Sequence, residues 1–185
     1  MLKMSRINVE EINNYYLQFN SLLNAREKVN VSKKNSMYNI EKFMVEEQIL
    51  DVGIDYKPKN GYWLSHGMKQ HSHNNNRGWL DWCLSEMPQW ILPSENDVYA
   101  VELNDELIYK IDTREKMEEF TLKYGVEQYG VLEKIDWGKV KNDGYYGVEV
   151  LNFRRIILST IWYNHFDCSS LVVWDYRAIN SVRKL

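Results

Sequence analysis

Residues 97–124 read DVYAVELNDELIYKIDTREKMEEFTLKY. Asp97 to Leu103 alternates as a strand should, and Leu107 to Ile111 continues as a second. Asp112 then opens a helix, with Glu115 three residues on completing a capping box. Met117, Phe120, Thr121 and Tyr124 fall at spacings of three and four and form its buried stripe. Two strands thus follow one another before any helix. That order departs from a regular βαβ alternation and places the chain in the α+β class.

The flanking sequence keeps this mixed character. Downstream, Ile135 to Val140 reads as a short helical turn and Asn142-Asp143-Gly144 as a tight turn. Tyr145 to Val150, Arg155 to Tyr163 and Leu171 to Tyr176 read as strands. Upstream, Met37 to Asn39 reads as a short strand and Ile40 to Leu50 as a helix. Lys57-Pro58-Lys59-Asn60-Gly61 is a turn that delivers the strand Tyr62-Trp63-Leu64-Ser65. His66 to Arg77 reads as a polar surface loop. Trp79, Trp82, Cys83 and Glu86 share helical spacing up to Pro88. Residues 8–30 read as one amphipathic helix carrying Val9, Ile12, Tyr15, Tyr16, Phe19 and Leu22 on one stripe. The expected organisation is a helix and linker over 1–35 and a domain over 36–185.

Composition bounds the function classes. The 185 residues suit one main core. The aromatic share of 14% favours pockets and interfaces. A net charge of −3 gives no reason to expect general nucleic-acid affinity. Residues 81–120 hold eleven acids against three bases, which reads first as a solvated acidic face. Cys83 and Cys168 are far apart and outside any CxxC pattern, so a reducing, cytoplasmic setting is expected. No apolar run reaches the length of a membrane span, and no partnership with a membrane is expected.

Several constellations bear on chemistry. On the strand Tyr145 to Val150, Tyr146, Val148 and Val150 should share a core face, leaving Tyr145, Gly147 and Glu149 on the other. Gly147 would leave room beside the Glu149 carboxylate for a ligand; the plainer alternative is a solvent-facing Glu. Trp63 and Ser65 share a face of their strand and would set a stacking platform beside a hydroxyl; the plainer alternative is a core Trp on an edge strand. His66, His71 and His73 lie on a polar loop without the ligand spacing of a zinc site, so no metal is expected. Cys168 and His165 form a conceivable nucleophile–base pair that lacks an orienting third group. The looser alternative is that Asp167 or Ser169 lines the same cleft as Glu149.

Three of these stretches together resemble small ADP-ribosyltransferase-like domains, many of them from phages and bacteria. They are Lys57 to Ser65 with Gly78-Trp79-Leu80-Asp81-Trp82-Cys83, Val98 to Leu103 with Ile108 to Asp112, and Ile135-Asp136-Trp137 with Tyr145 to Val150. The resemblance implies two antiparallel sheets forming a cleft, with flanking helices. It implies NAD as substrate and a macromolecular target as acceptor of ADP-ribose. Glu149 would be the catalytic acid, stabilising an oxocarbenium-like transition state. Trp63, Ser65 and Tyr145 would border NAD. The family's first-strand Arg or His is replaced here by Met37-Tyr38-Asn39, so Tyr38 or Asn39 would stand in. Gly147 occupies the position where arginine-modifying members carry Glu or Gln. The alternative reading is a non-catalytic binding or inhibitor protein that docks a protein partner through its aromatic cleft and acidic face.

Overall fold

Leu171-Val172-Val173-Trp174 is a continuous apolar run, the pattern of a strand covered on both faces. In a computed structural model, which describes residues 16–19, 40–64, 86, 98–151 and 160–184, Leu171 to Val173 lie in one of the two inner strands of a four-stranded sheet. Strand β3 (Tyr62–Leu64) pairs antiparallel with β9 (Ser170–Val173). Strand β9 pairs antiparallel with β8 (Gly147–Val150), and β8 lies parallel to β5 (Ile108–Ile111). Every residue of β8 and β9 is buried.

Register writes two rows across this sheet. One is Trp63, Val172, Val148 and Tyr109; the next is Leu64, Leu171, Glu149 and Lys110. Successive side chains point to opposite faces, so the two rows do too. The Val148 face packs on a core of Phe120, Tyr124, Trp137, Trp162 and Trp174. The Leu171 face packs on a second core with Phe43, Tyr99, Val101 and Ile179. Each fully buried side chain of this size contributes roughly 1.5–3 kcal/mol, so both faces are committed to stability.

A parallel pair needs a long crossover. Residues 112–146 supply it through helix α2 (Arg114–Tyr124), the hairpin β6 (Gly125–Gln128) and β7 (Val131–Asp136), and helix α3 (Trp137–Asn142). The hairpin joins β2 (Ile54–Asp55) in a sheet ordered β2-β7-β6. A third sheet is ordered β1-β4-β10, from Tyr16–Phe19, Val98–Leu103 and Ile179–Lys184. Helix α1 covers Ile40–Val45. The α+β class is therefore as expected. The described residues form three sheets rather than two, and one strand pair is parallel.

Several local expectations change. Within the helix expected over 8–30, Tyr16 to Phe19 is a strand in register with Val101 to Val98; the rest of that span lies outside the described residues. Tyr-Leu-Gln-Phe suits either period, and hydrogen bonding to β4 decides it. The α2 cap is Thr113, one residue later than Asp112: its extended backbone lets Oγ1 accept from Lys116 N at 3.2 Å. The buried stripe of Met117, Phe120, Thr121 and Tyr124 is as expected. Of the strand expected over 155–163, residues 155–159 lie outside the described residues, and Trp162 and Tyr163 belong to a 3-10 turn over Trp162–His165. The Trp162 indole donates to Thr121 Oγ1 at 2.9 Å, which anchors that turn on α2. The strand expected over 171–176 ends at Val173, and Asp175 caps a 3-10 turn over Tyr176–Ala178.

Candidate functional site

Glu149 is 1% exposed, on the Leu171 face of the four-stranded sheet. Its Oε2 lies 4.0 Å from Lys110 Nζ, and the same ammonium sits 3.0 Å from Asp105 Oδ1. A buried carboxylate demands such a partner, because its desolvation is costly. The space expected beside Gly147 is filled by the protein. A Cβ there would stand 2.6 Å from Ile108 Cδ1 and 2.8 Å from the Val172 carbonyl. Gly147 lets β9 and Ile108 close in; it does not open a route to Glu149.

Trp63 and Tyr145 lie elsewhere. Trp63 belongs to the Val148 row and so points away from Glu149. Tyr145 and Tyr146 precede β8, so the expected alternation does not extend to them. Tyr145 packs on the core of the Val148 face, with its ring edge-on to Tyr109 at 4.9 Å. Tyr146 packs on the other core, under the Arg177 guanidinium at 4.3 Å. This reverses the expected sharing of faces by Tyr145 with Glu149 and by Tyr146 with Val148. Trp63 and Tyr109 occupy opposite edges of the sheet, three strand spacings or about 14 Å apart. The described residues thus bring none of Trp63, Tyr145 and Glu149 together. Ser65, Tyr38 and Asn39 lie outside the described residues, as do His66, His71 and His73.

Ser169 is fully buried just before β9 begins at Ser170. Asp167 is exposed and joins the surface of Trp63 instead. The Cys168–His165 pair does not form. Burial pushes the Cys168 thiol up to about 11, and its sulfur lies 3.6 Å from Ser170 Oγ. The His165 ring stacks on Tyr56 at 3.9 Å. Among the described residues, no cluster of His, Cys, Asp and Glu could hold a metal ion, and no helix is long and apolar enough to cross a membrane.

The side chains that do converge lie around Trp63. The turn over residues 57–61 is locked to the body. Lys59 N donates to the Val52 carbonyl at 3.0 Å, and Asn60 Nδ2 donates to the Asp51 carbonyl at 2.7 Å. Gly61 allows the turn to close on β9, since a Cβ there would collide with Val172 Cγ2. Trp63, 37% exposed, then lies against buried Phe166 with ring centroids 5.8 Å apart. Phe166 is held from behind by Trp162 at 5.9 Å.

Lys57 Nζ sits 5.7 Å from the Trp63 ring centroid and 5.5 Å from that of Phe166. It also pairs with Asp167 Oδ2 at 3.5 Å. Each exposed cation–π contact contributes about 0.5–1 kcal/mol, and an exposed ion pair about 0.2–1 kcal/mol. The two rings therefore position Lys57 at least as firmly as the carboxylate does. Alongside, Tyr56 carries His165 stacked on its ring and Lys134 at 5.2 Å from its centroid. The Tyr56 hydroxyl donates to Glu133, which raises its pKa above the usual tyrosine value; burial and the negative charges of Glu133 and Asp55 add to the effect.

The result is a rigid, partly exposed aromatic surface with lysines laid over its rings. Sequence reading identified Trp63 but not Lys57, Phe166 or Asp167 as its neighbours. Lys57 and Asp167 are 110 positions apart, and nothing local in either stretch announces the meeting. No protein family, curated protein or solved structure matches the chain.

Proposed function

We propose that this chain is a non-catalytic binding protein that docks a protein partner through the surface centred on Trp63. The observation that carries the reading is the setting of Trp63: a large ring partly open to solvent, backed by buried Phe166 and flanked by Lys57. Tryptophan in a rigid setting is the residue type on which interface energy concentrates. A pre-ordered surface also avoids the entropy cost of arranging side chains on binding.

ADP-ribosyl transfer is not the reading put forward. It needs Trp63, Tyr145 and Glu149 on one NAD molecule, with the carboxylate able to reach the ribose. Register sets Trp63 and Glu149 on opposite faces of one sheet, and Glu149 is enclosed beside Lys110. An aromatic interface needs neither a reachable acid nor a cofactor.

The test is copurification from the source cells after mild chemical crosslinking, with folded variants compared side by side. A discrete partner should be retained by the parent chain and by Glu149→Gln, and lost with Trp63→Ala. Retention by Trp63→Ala would sink the reading. Calorimetry with NAD supplies the contrast: saturable NAD binding that disappears in Glu149→Gln would favour the transferase instead.

A further inference from the structure

We infer that the docking surface recognises an acidic protein segment, with Lys57 receiving a partner carboxylate in the position that Asp167 occupies in the free chain. The inference rests on the docking reading and names the chemistry of the partner.

Three observations carry it. The first is that Lys57 is placed by rings as well as by a counter-charge: its ammonium lies 5.7 Å from Trp63 and 5.5 Å from Phe166. The second is that its carboxylate partner is easily displaced. Asp167 meets Lys57 at 3.5 Å, and the Asp167 side chain is 64% exposed, so water and salt screen the pair. The third is that the neighbouring positive group repeats the arrangement. Lys134 lies 5.2 Å from the centroid of Tyr56, whose hydroxyl is already bonded to Glu133.

Together these define what fits. An incoming carboxylate would displace the exposed Asp167 and meet an ammonium already held in place. An aromatic or aliphatic side chain next to it would cover the open part of Trp63. An acid beside an apolar residue in a peptide supplies both. A basic segment would have to desolvate Lys57 against a like charge, which disfavours it.

The probe is a short synthetic peptide, acetyl-Glu-Trp-Asp-Trp-Glu-amide, titrated into the isotope-labelled full chain and followed through the indole N–H signals by NMR. The Trp63 signal is assigned from its loss in Trp63→Phe. The acidic peptide is expected to move this signal saturably. A counterpart with Lys at each acidic position should leave it unmoved. Lys57→Gln should weaken binding by about threefold or more, and Asp167→Asn should tighten it by about threefold. Equal responses to both peptides, no response to the acidic one, or no tightening in Asp167→Asn would overturn the inference. Partner capture that depends on Trp63 while the acidic peptide fails would leave docking standing and remove only the acidic class.

Discussion

Trp63 and Glu149 sit on neighbouring rows of the same four-stranded sheet and point to opposite faces. Trp63 is in register with Val172 and, through it, with Val148, whereas Glu149 is in register with Leu171 and, through it, with Leu64. A one-residue offset in a strand is enough to place two side chains on different cores. Here it separates a solvent-reaching ring from an enclosed acid, and each then has a different expected response to mutation.

Glu149 acts on stability. Removing a buried carboxylate leaves Lys110 with only its exposed partner Asp105 among these two acids and opens a void on the second core. Glu149→Ala is expected to lower the unfolding free energy by about 3 kcal/mol. Urea denaturation checks this. A loss under about 1 kcal/mol would mean that the carboxylate is not structurally committed.

Gly147 is required by close approach, not by ligand access. Gly147→Ala drives a methyl to within 2.8 Å of the Val172 carbonyl, which is strand backbone and cannot rotate away. The expected cost is about 2 kcal/mol, read in the same denaturation series. A neutral substitution would instead indicate open space beside Glu149.

Helix α2 should depend on Thr113 for its cap. Thr113→Ala removes the acceptor for Lys116 N and is expected to cost about 1 kcal/mol. Thr113→Ser should restore most of it. Thermal melts of the two variants against the parent decide the matter.

Cys168 should be inert in the folded chain. Burial raises its pKa to about 11, so near pH 8 the thiol stays protonated. A raised folded-state pKa contributes stability below the unfolded thiol value near 8.5, and that contribution is lost as pH rises from there towards about 11. Iodoacetamide at pH 8 should leave Cys168 unmodified in native protein and label it on unfolding, as read by peptide mass spectrometry. Rapid native labelling would show that the 3-10 turn before it opens readily.

The sequence made visible what depends on local pattern. The stripe Met117, Phe120, Thr121 and Tyr124 is buried as its spacing requires, and the turn at residues 57–61 delivers Trp63 to a strand. What escaped was set by distant pairing. Tyr16 to Phe19 fits a helical stripe until β4 offers it hydrogen bonds. The faces of Tyr145 and Tyr146 cannot be read by extending an alternation from Glu149, because the strand begins only at Gly147. Whether Trp63 and Glu149 share a cleft depends on β9, which lies between β3 and β8 and sets the register of both. No motif at either residue encodes it.

The most direct measurement of the docking claim is site-specific photo-crosslinking in the source cells. A benzophenone amino acid replaces Trp63 in one variant and Leu122, which is 77% exposed on α2, in another. The expected result is a discrete partner adduct from position 63 that is absent from position 122 and suppressed when Lys57→Glu is added. Adducts of equal yield and identity from both positions, or none from position 63, would contradict a binding surface centred on Trp63.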